Sequence, residues 1–137
     1  MELTWKKIVL IAGSFVSLIA LPLILLSNPM MDYYQGRIDK NPNSGFSKWL
    51  QLTMANSCYK TMRPERSAVY YYQYLERYKD DAQRPWVMMR YGLSLEDANR
   101  NAEALEVYQQ VINDYPDREE SKDAAQGMDR IRYVKPR

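Results

Sequence analysis

The sequence predicts an all-α protein: an N-terminal transmembrane helix, then a short array of about two helix pairs closed by a capping helix. Three observations carry that expectation. Residues Ile8 to Leu26 read IVLIAGSFVSLIALPLILL, nineteen positions without one charge. From Phe46 onward, apolar side chains recur at three- and four-residue steps, with no strand-like alternation of any length. Pro64, Pro85 and Pro116 interrupt this pattern where helices are expected to start or stop.

The first seven residues (1–7) form a tail in which Trp5, Lys6 and Lys7 adjoin the apolar run. The run itself (8–26) is roughly 28 Å long as a helix, close to the roughly 30 Å of bilayer hydrocarbon. Tyr33 and Tyr34 follow it, as interfacial anchors do. A cleaved secretory signal has a similar start. Against it, the run exceeds a usual signal core, no small-x-small site precedes Asn28-Pro29, and no lipobox cysteine is near. Lys6 and Lys7 stand against Arg37 and Lys40 on the other side, an even count. Asp32 and Asp39 dilute the second pair, so the amino end is expected inside and the remainder exported. Gly13, Ser14, Ser17 and Ala20 offer a strip of small residues on which other spans can pack.

Residues 27–44 read as a connector whose prolines, Gly36 and asparagines argue against one continuous helix. The first array helix is expected over about Phe46–Thr61, with Trp49, Leu50, Met54, Ser57 and Cys58 on its apolar stripe. A second follows from Pro64 to about Tyr78, where the period groups Ala68, Tyr71, Leu75 and Tyr78. Tyr70, Tyr71, Tyr72 and Tyr74 cover more than half of the helix circumference, so Tyr70 or Tyr72 should be exposed. Pro85 opens a third helix. Asn101 is the expected N-cap of a fourth, which stops at Pro116. Asp117 and Glu120 form a capping-box pattern for a last helix to about Tyr133, with the stripe Ala124, Met128 and Ile131.

A repeat underlies this order. With Pro85 as position one of a 34-residue unit (85–118), Gly92 falls at position eight, Ala104 at twenty, Tyr108 at twenty-four and Pro116 at thirty-two. These residues resemble the tetratricopeptide repeat, in which two helices, A and B, cross over small side chains. Met88 and Leu95 stand where that family usually has tryptophan and tyrosine. The preceding pair (45–84) fits less regularly. At a spacing of 34, Cys58 takes the small position and Tyr74 the aromatic one, but Tyr70 stands in place of alanine and Ala82 in place of proline. An offset of 37 instead brings YQYLERYKD under YQQVINDYPD, implying a longer first unit. Residues 119–137 resemble a lone A-type cap and tail. The wording EALEVYQQVINDYPD is similar to repeats of bacterial envelope proteins.

Composition excludes most chemistry. The chain of 137 residues has no histidine and one cysteine, so the commonest base, metal ligand and disulfide framework are missing. A net charge of +2 gives no basis for a nucleic-acid partner. No phosphate loop, metal-binding motif or small-molecule site is legible, so no enzyme activity and no cofactor is expected. Cys58, on an apolar face, reads as a small core residue. The resemblance implies a protein-binding groove lined by A helices: Trp86, Met89, Leu93 and Asp97 in the regular unit, with Tyr59 and Met62 as equivalents one unit earlier. Glu96 and Asp97 occupy part of the face that a chaperone-tail receptor would need basic. The expected partners are therefore the lipid bilayer and other subunits of a bacterial inner-membrane complex, with the domain in the periplasm. The alternative is an organelle import-receptor type that binds targeting peptides in the cytosol.

Overall fold

The computed structural model describes residues 4–133, and every regular element among them is a helix: α1 (Trp5–Leu25), α2 (Asn28–Lys40), α3 (Gly45–Lys60), α4 (Pro64–Arg77), α5 (Arg84–Asp97), α6 (Asn101–Asp114) and α7 (Glu119–Tyr133). The chain divides into two compact units, Met1–Arg37 and Ile38–Arg137.

In the first unit, α1 buries none of its residues, and its leucines, isoleucines and valines are open along its length. It is one helix long and apolar enough to cross a membrane. Pro22 lies inside it without ending it, and the Pro22 carbonyl accepts from the Leu26 N–H at the last turn. A helix also forms where the sequence argued for an irregular connector. Pro29 occupies the first turn of α2, where its missing N–H is not needed. Gly36 costs an interior helix only about 1 kcal/mol, and Pro42 lies beyond the end.

The second unit is built from helices α3 to α7, each packed on its neighbour in sequence, with α5 also touching α7. Ser44 caps α3 by accepting from the Ser47 N–H at 3.0 Å. Both α3 and α5 end in the same turn. Met62 and Asn99 adopt left-handed backbone, with φ of 58° and 59°. Arg63 N–H reaches back to the Cys58 carbonyl and Arg100 N–H to that of Leu95, while Met62 and Asn99 bond Tyr59 and Glu96. This six-to-one and five-to-two pairing is a Schellman motif. Its recurrence sets the first helix pair 37 residues before the second, not 34. Ala55 then corresponds to Gly92 and Tyr71 to Tyr108, and all four are buried.

Side chains lock the layers. Buried Gln51 of α3 donates to the Tyr70 carbonyl and to Gln73 of α4, and accepts from Arg77. Ser67 of α4 donates to Ser94 of α5 at 2.7 Å, so two small side chains let these helices cross closely. Tyr71, Tyr74 and Tyr108 are fully buried, whereas Tyr72 is the exposed tyrosine that crowding on α4 required.

Two helix starts differ from the sequence reading. Asn101 is the first residue of α6 rather than its cap, because the α5 turn runs straight into it and the Arg100 carbonyl accepts from Ala104. Helix α7 opens at Glu119, one residue later than a cap at Asp117 requires.

Candidate groove on the A helices

Tyr108 fixes the pair α5–α6 against α7. Its ring lies between two glycines: a β-carbon on Gly92 would meet Cε1 at 2.5 Å, and one on Gly127 would meet Cε2 at 2.6 Å. Its hydroxyl donates to Glu96 at 2.7 Å, and Glu96 in turn receives two hydrogen bonds from Arg130 of α7 at 3.0 and 2.9 Å. Burial pushes the Tyr108 hydroxyl to a higher pKa, and Glu96 adds to the shift. Helix α5 is thus joined to α7 by a carboxylate–arginine pair. Gly92 and Tyr108 were legible as packing positions. Gly127 was not, although it lies 35 residues after Gly92.

Helix α3 is joined to α5 by different chemistry. The Arg90 guanidinium of α5 lies 5.1 Å from the Tyr59 ring centroid of α3 and 5.2 Å from that of Trp86, one turn back on its own helix. The structure therefore brings Tyr59 and Trp86 to one place and adds Arg90, which sequence reasoning missed. Trp86 and Arg90 at i and i+4 were a readable pair. The Tyr59 contact depends on the fold.

The other sequence-nominated residues fall differently. Leu93 is half-buried and Asp97 is exposed on α5. Partial burial raises the Asp97 carboxyl pKa, helped by Glu96. Met89 is 6% exposed and offers little surface to a partner. Met62 is 87% exposed but belongs to the turn between α3 and α4, not to a helix face. At the 37-residue spacing, the α3 positions that match Trp86, Leu93 and Asp97 are Trp49, Asn56 and Lys60, so Tyr59 and Met62 are not their equivalents. Trp49 was expected on the apolar stripe with Leu50, Met54 and Cys58. Those three are buried, whereas Trp49 is 59% exposed and pairs with Phe46 at 5.7 Å between ring centroids. Gly13, Ser14, Ser17 and Ala20 lie on α1, where a β-carbon at Gly13 would meet nothing within 4 Å.

Cys58 is fully buried and desolvation raises its thiol pKa, so it packs as an inert small side chain. An open pocket of about 440 Å³ between α4, α5 and α6 is lined by Val69, Tyr72, Tyr91, Arg100 and Glu103, among others.

Residues 86–118 match the family model described as a tetratricopeptide repeat. The match spans α5 and α6, the pair that holds Gly92, Ala104 and Tyr108. Comparison with curated proteins finds no match to the chain. Tetratricopeptide repeats are typically protein-interaction modules.

Proposed function

We propose that the chain is a membrane-anchored tetratricopeptide scaffold, an accessory or assembly subunit of a bacterial inner-membrane complex that works through protein–protein contacts. The observation that carries this reading is the join, in one polypeptide, of an apolar helix with no buried residue to an array containing a tetratricopeptide match. Such a helix favours lipid by its length and composition. The small strip Gly13, Ser17 and Ala20 suits packing by other spans, and the half-buried Tyr59–Arg90–Trp86 cluster suits a soluble segment. In this reading the array lies in the periplasm.

Affinity purification of the full chain in gentle detergent, followed by mass spectrometry, tests the scaffold role. Trp86→Ala should remove partners held by the array, and Gly13→Leu with Ser17→Leu those held by the span. Unchanged recovery in all variants overturns the scaffold reading. Orientation needs a reporter cysteine. Lys135 lies outside the described residues, whereas Lys122 is exposed on α7. Lys122→Cys in a Cys58→Ser background should react with a membrane-impermeant maleimide on intact cells. Labelling only after lysis overturns the periplasmic placement and favours the import-receptor type.

A further inference from the structure

We propose that Phe46 and Trp49, at the start of α3, are a second membrane contact, which seats the beginning of the array in the headgroup layer of a lipid bilayer; this rests on the reading of α1 as a membrane span. The two rings pack together at 5.7 Å between centroids, yet both are exposed. The other ring pairs among the described residues are Tyr33 with Tyr34, Tyr72 with Tyr91, and Tyr74 with Tyr78. In each of them at least one ring is buried or half-buried. Two large rings left open side by side form an apolar patch that packing within the array does not explain.

The two ends of the array differ. A solenoid exposed to water at both ends needs a polar outer face on each terminal helix. Helix α7 has one, with Lys122, Asp123, Asp129 and Arg132 exposed. Helix α3 packs on α4 and buries Leu50, Met54 and Cys58, but leaves Phe46 and Trp49 uncovered. Trp86 holds the matching position one unit later and is half-buried, with the Arg90 guanidinium 5.2 Å from its ring centroid. Trp49 has no array helix before it. The apolar end is also the one that follows the candidate span in the chain, and only α2 and two short turns separate Leu25 from Phe46. The chemistry fits a lipid surface. Tryptophan joins an apolar body to an N–H that needs a wet partner, which suits the headgroup layer. From Asn41 to Pro64 the chain has no acid, while Lys48, Lys60 and Arg63 are basic, so nothing there repels anionic lipid. Two rings would hold a free protein to a membrane only weakly. Behind a membrane tether the contact is intramolecular, and the high effective concentration makes it favourable.

The chain has three tryptophans, and their fluorescence provides the test. The full chain is reconstituted in vesicles of phosphatidylcholine and phosphatidylglycerol that include a phosphatidylcholine spin-labelled close to its headgroup, a quencher of nearby fluorophores. Three variants each keep one tryptophan and carry phenylalanine at the other two positions. Trp49 should emit at shorter wavelength than an open ring in water and lose intensity to the spin label about as strongly as Trp5. Trp86 should lose far less. Adding Phe46→Ser should move the Trp49 emission to longer wavelength and reduce its quenching. A second reporter keeps all three tryptophans: Phe46→Cys in a Cys58→Ser background, labelled with an NBD dye, should be quenched, whereas the same dye at Lys122→Cys should not. Quenching of Trp5 without quenching of Trp49 or of the dye at position 46 overturns the inference and leaves the membrane anchor standing. Absence of quenching at Trp5 overturns the span reading, and the inference with it. Short-wavelength emission from Trp49 without quenching also overturns the inference, because protein, a second copy or another partner, then covers the ring. Equal quenching of Trp49 and Trp86 overturns it too, since no particular end of the array is then seated.

Discussion

Met62 carries backbone strain that the fold uses. Left-handed φ costs a residue with a β-carbon about 1–2 kcal/mol, and the Schellman turn requires that conformation between α3 and α4. Met62→Gly should therefore raise stability by about 0.5–1 kcal/mol after the extra freedom of glycine in the unfolded chain is counted. Met62→Ile should lower it by about 1 kcal/mol or more, since a branched β-carbon fits this region worst. Thermal unfolding of the two variants decides the matter, and equal midpoints would mean that the turn is not held. Asn99, at the same place after α5, tolerates φ of 59° and should gain less from glycine. The glycines around Tyr108 behave in the opposite sense. Alanine is the better helix former, yet Gly92→Ala and Gly127→Ala should each cost about 1–3 kcal/mol, because the new carbon meets a buried ring. Tyr108→Leu should reduce that penalty, which a double-mutant cycle would show as strong coupling. The sequence made Gly92 readable through its distance to Ala104 and Tyr108. It left Gly127 unread because its partner is a ring on another helix, and no local signal marks that. Met89 misled for the same reason: its position in α5 looked outward, but burial depends on which helices pack alongside.

Helix ends and junctions follow rules that a sequence states well, and α3 to α7 form where proline and apolar spacing place them. Helix α2 shows the limit. Proline and glycine suggested a break, but proline in a first turn and one interior glycine are both affordable. The segment between α4 and α5 shows how a loop is fixed. Asp81 accepts from the Tyr74 hydroxyl and from the Gln83 N–H, and pairs with Lys48 of α3 at 2.9 Å. Burial alone would raise its pKa, but the hydrogen bonds from Tyr74, Lys48 and Gln83 outweigh burial and hold it below the usual carboxylate value. A carboxyl with a depressed folded-state pKa adds stability above its unfolded value, about 3.9. That stability is lost as the pH falls through the lower folded value. Asp81→Asn should thus destabilise the array by about 1–3 kcal/mol at neutral pH and by less under acid. Urea unfolding across that range should show the wild-type and variant curves converging as the pH falls. Parallel curves would remove the Lys48–Asp81–Tyr74 cluster from the account.

At the scale of the whole molecule, the array depends on its last helix. A short solenoid buries apolar surface only where one unit covers the next, so the final unit needs a cap. Helix α7 supplies one: Ala124, Gly127 and Met128 are buried, while its other faces carry exposed Lys122, Asp123, Asp129 and Arg132. Deleting residues 119–137 would uncover one face of Tyr108, strip Glu96 of Arg130, and leave the α5 and α6 surfaces without Met128. At about 1.5–3 kcal/mol for a large apolar side chain returned to water, losing the cover over Tyr108 alone costs about that much. That is a large share of what a domain of this size has. The truncated chain should therefore lose cooperative unfolding, and limited proteolysis should cut within α5 and α6 before α3. A truncation that kept the wild-type melting temperature would show that the array ends at α6. With Asp97 in the proposed groove, the same deletion should also weaken any ligand bound there. The two losses need separate assays. Arg130→Gln serves this purpose: it frees Glu96 while leaving the Tyr108 ring between Gly92 and Gly127, so it should alter the charge of the groove with a smaller effect on the fold.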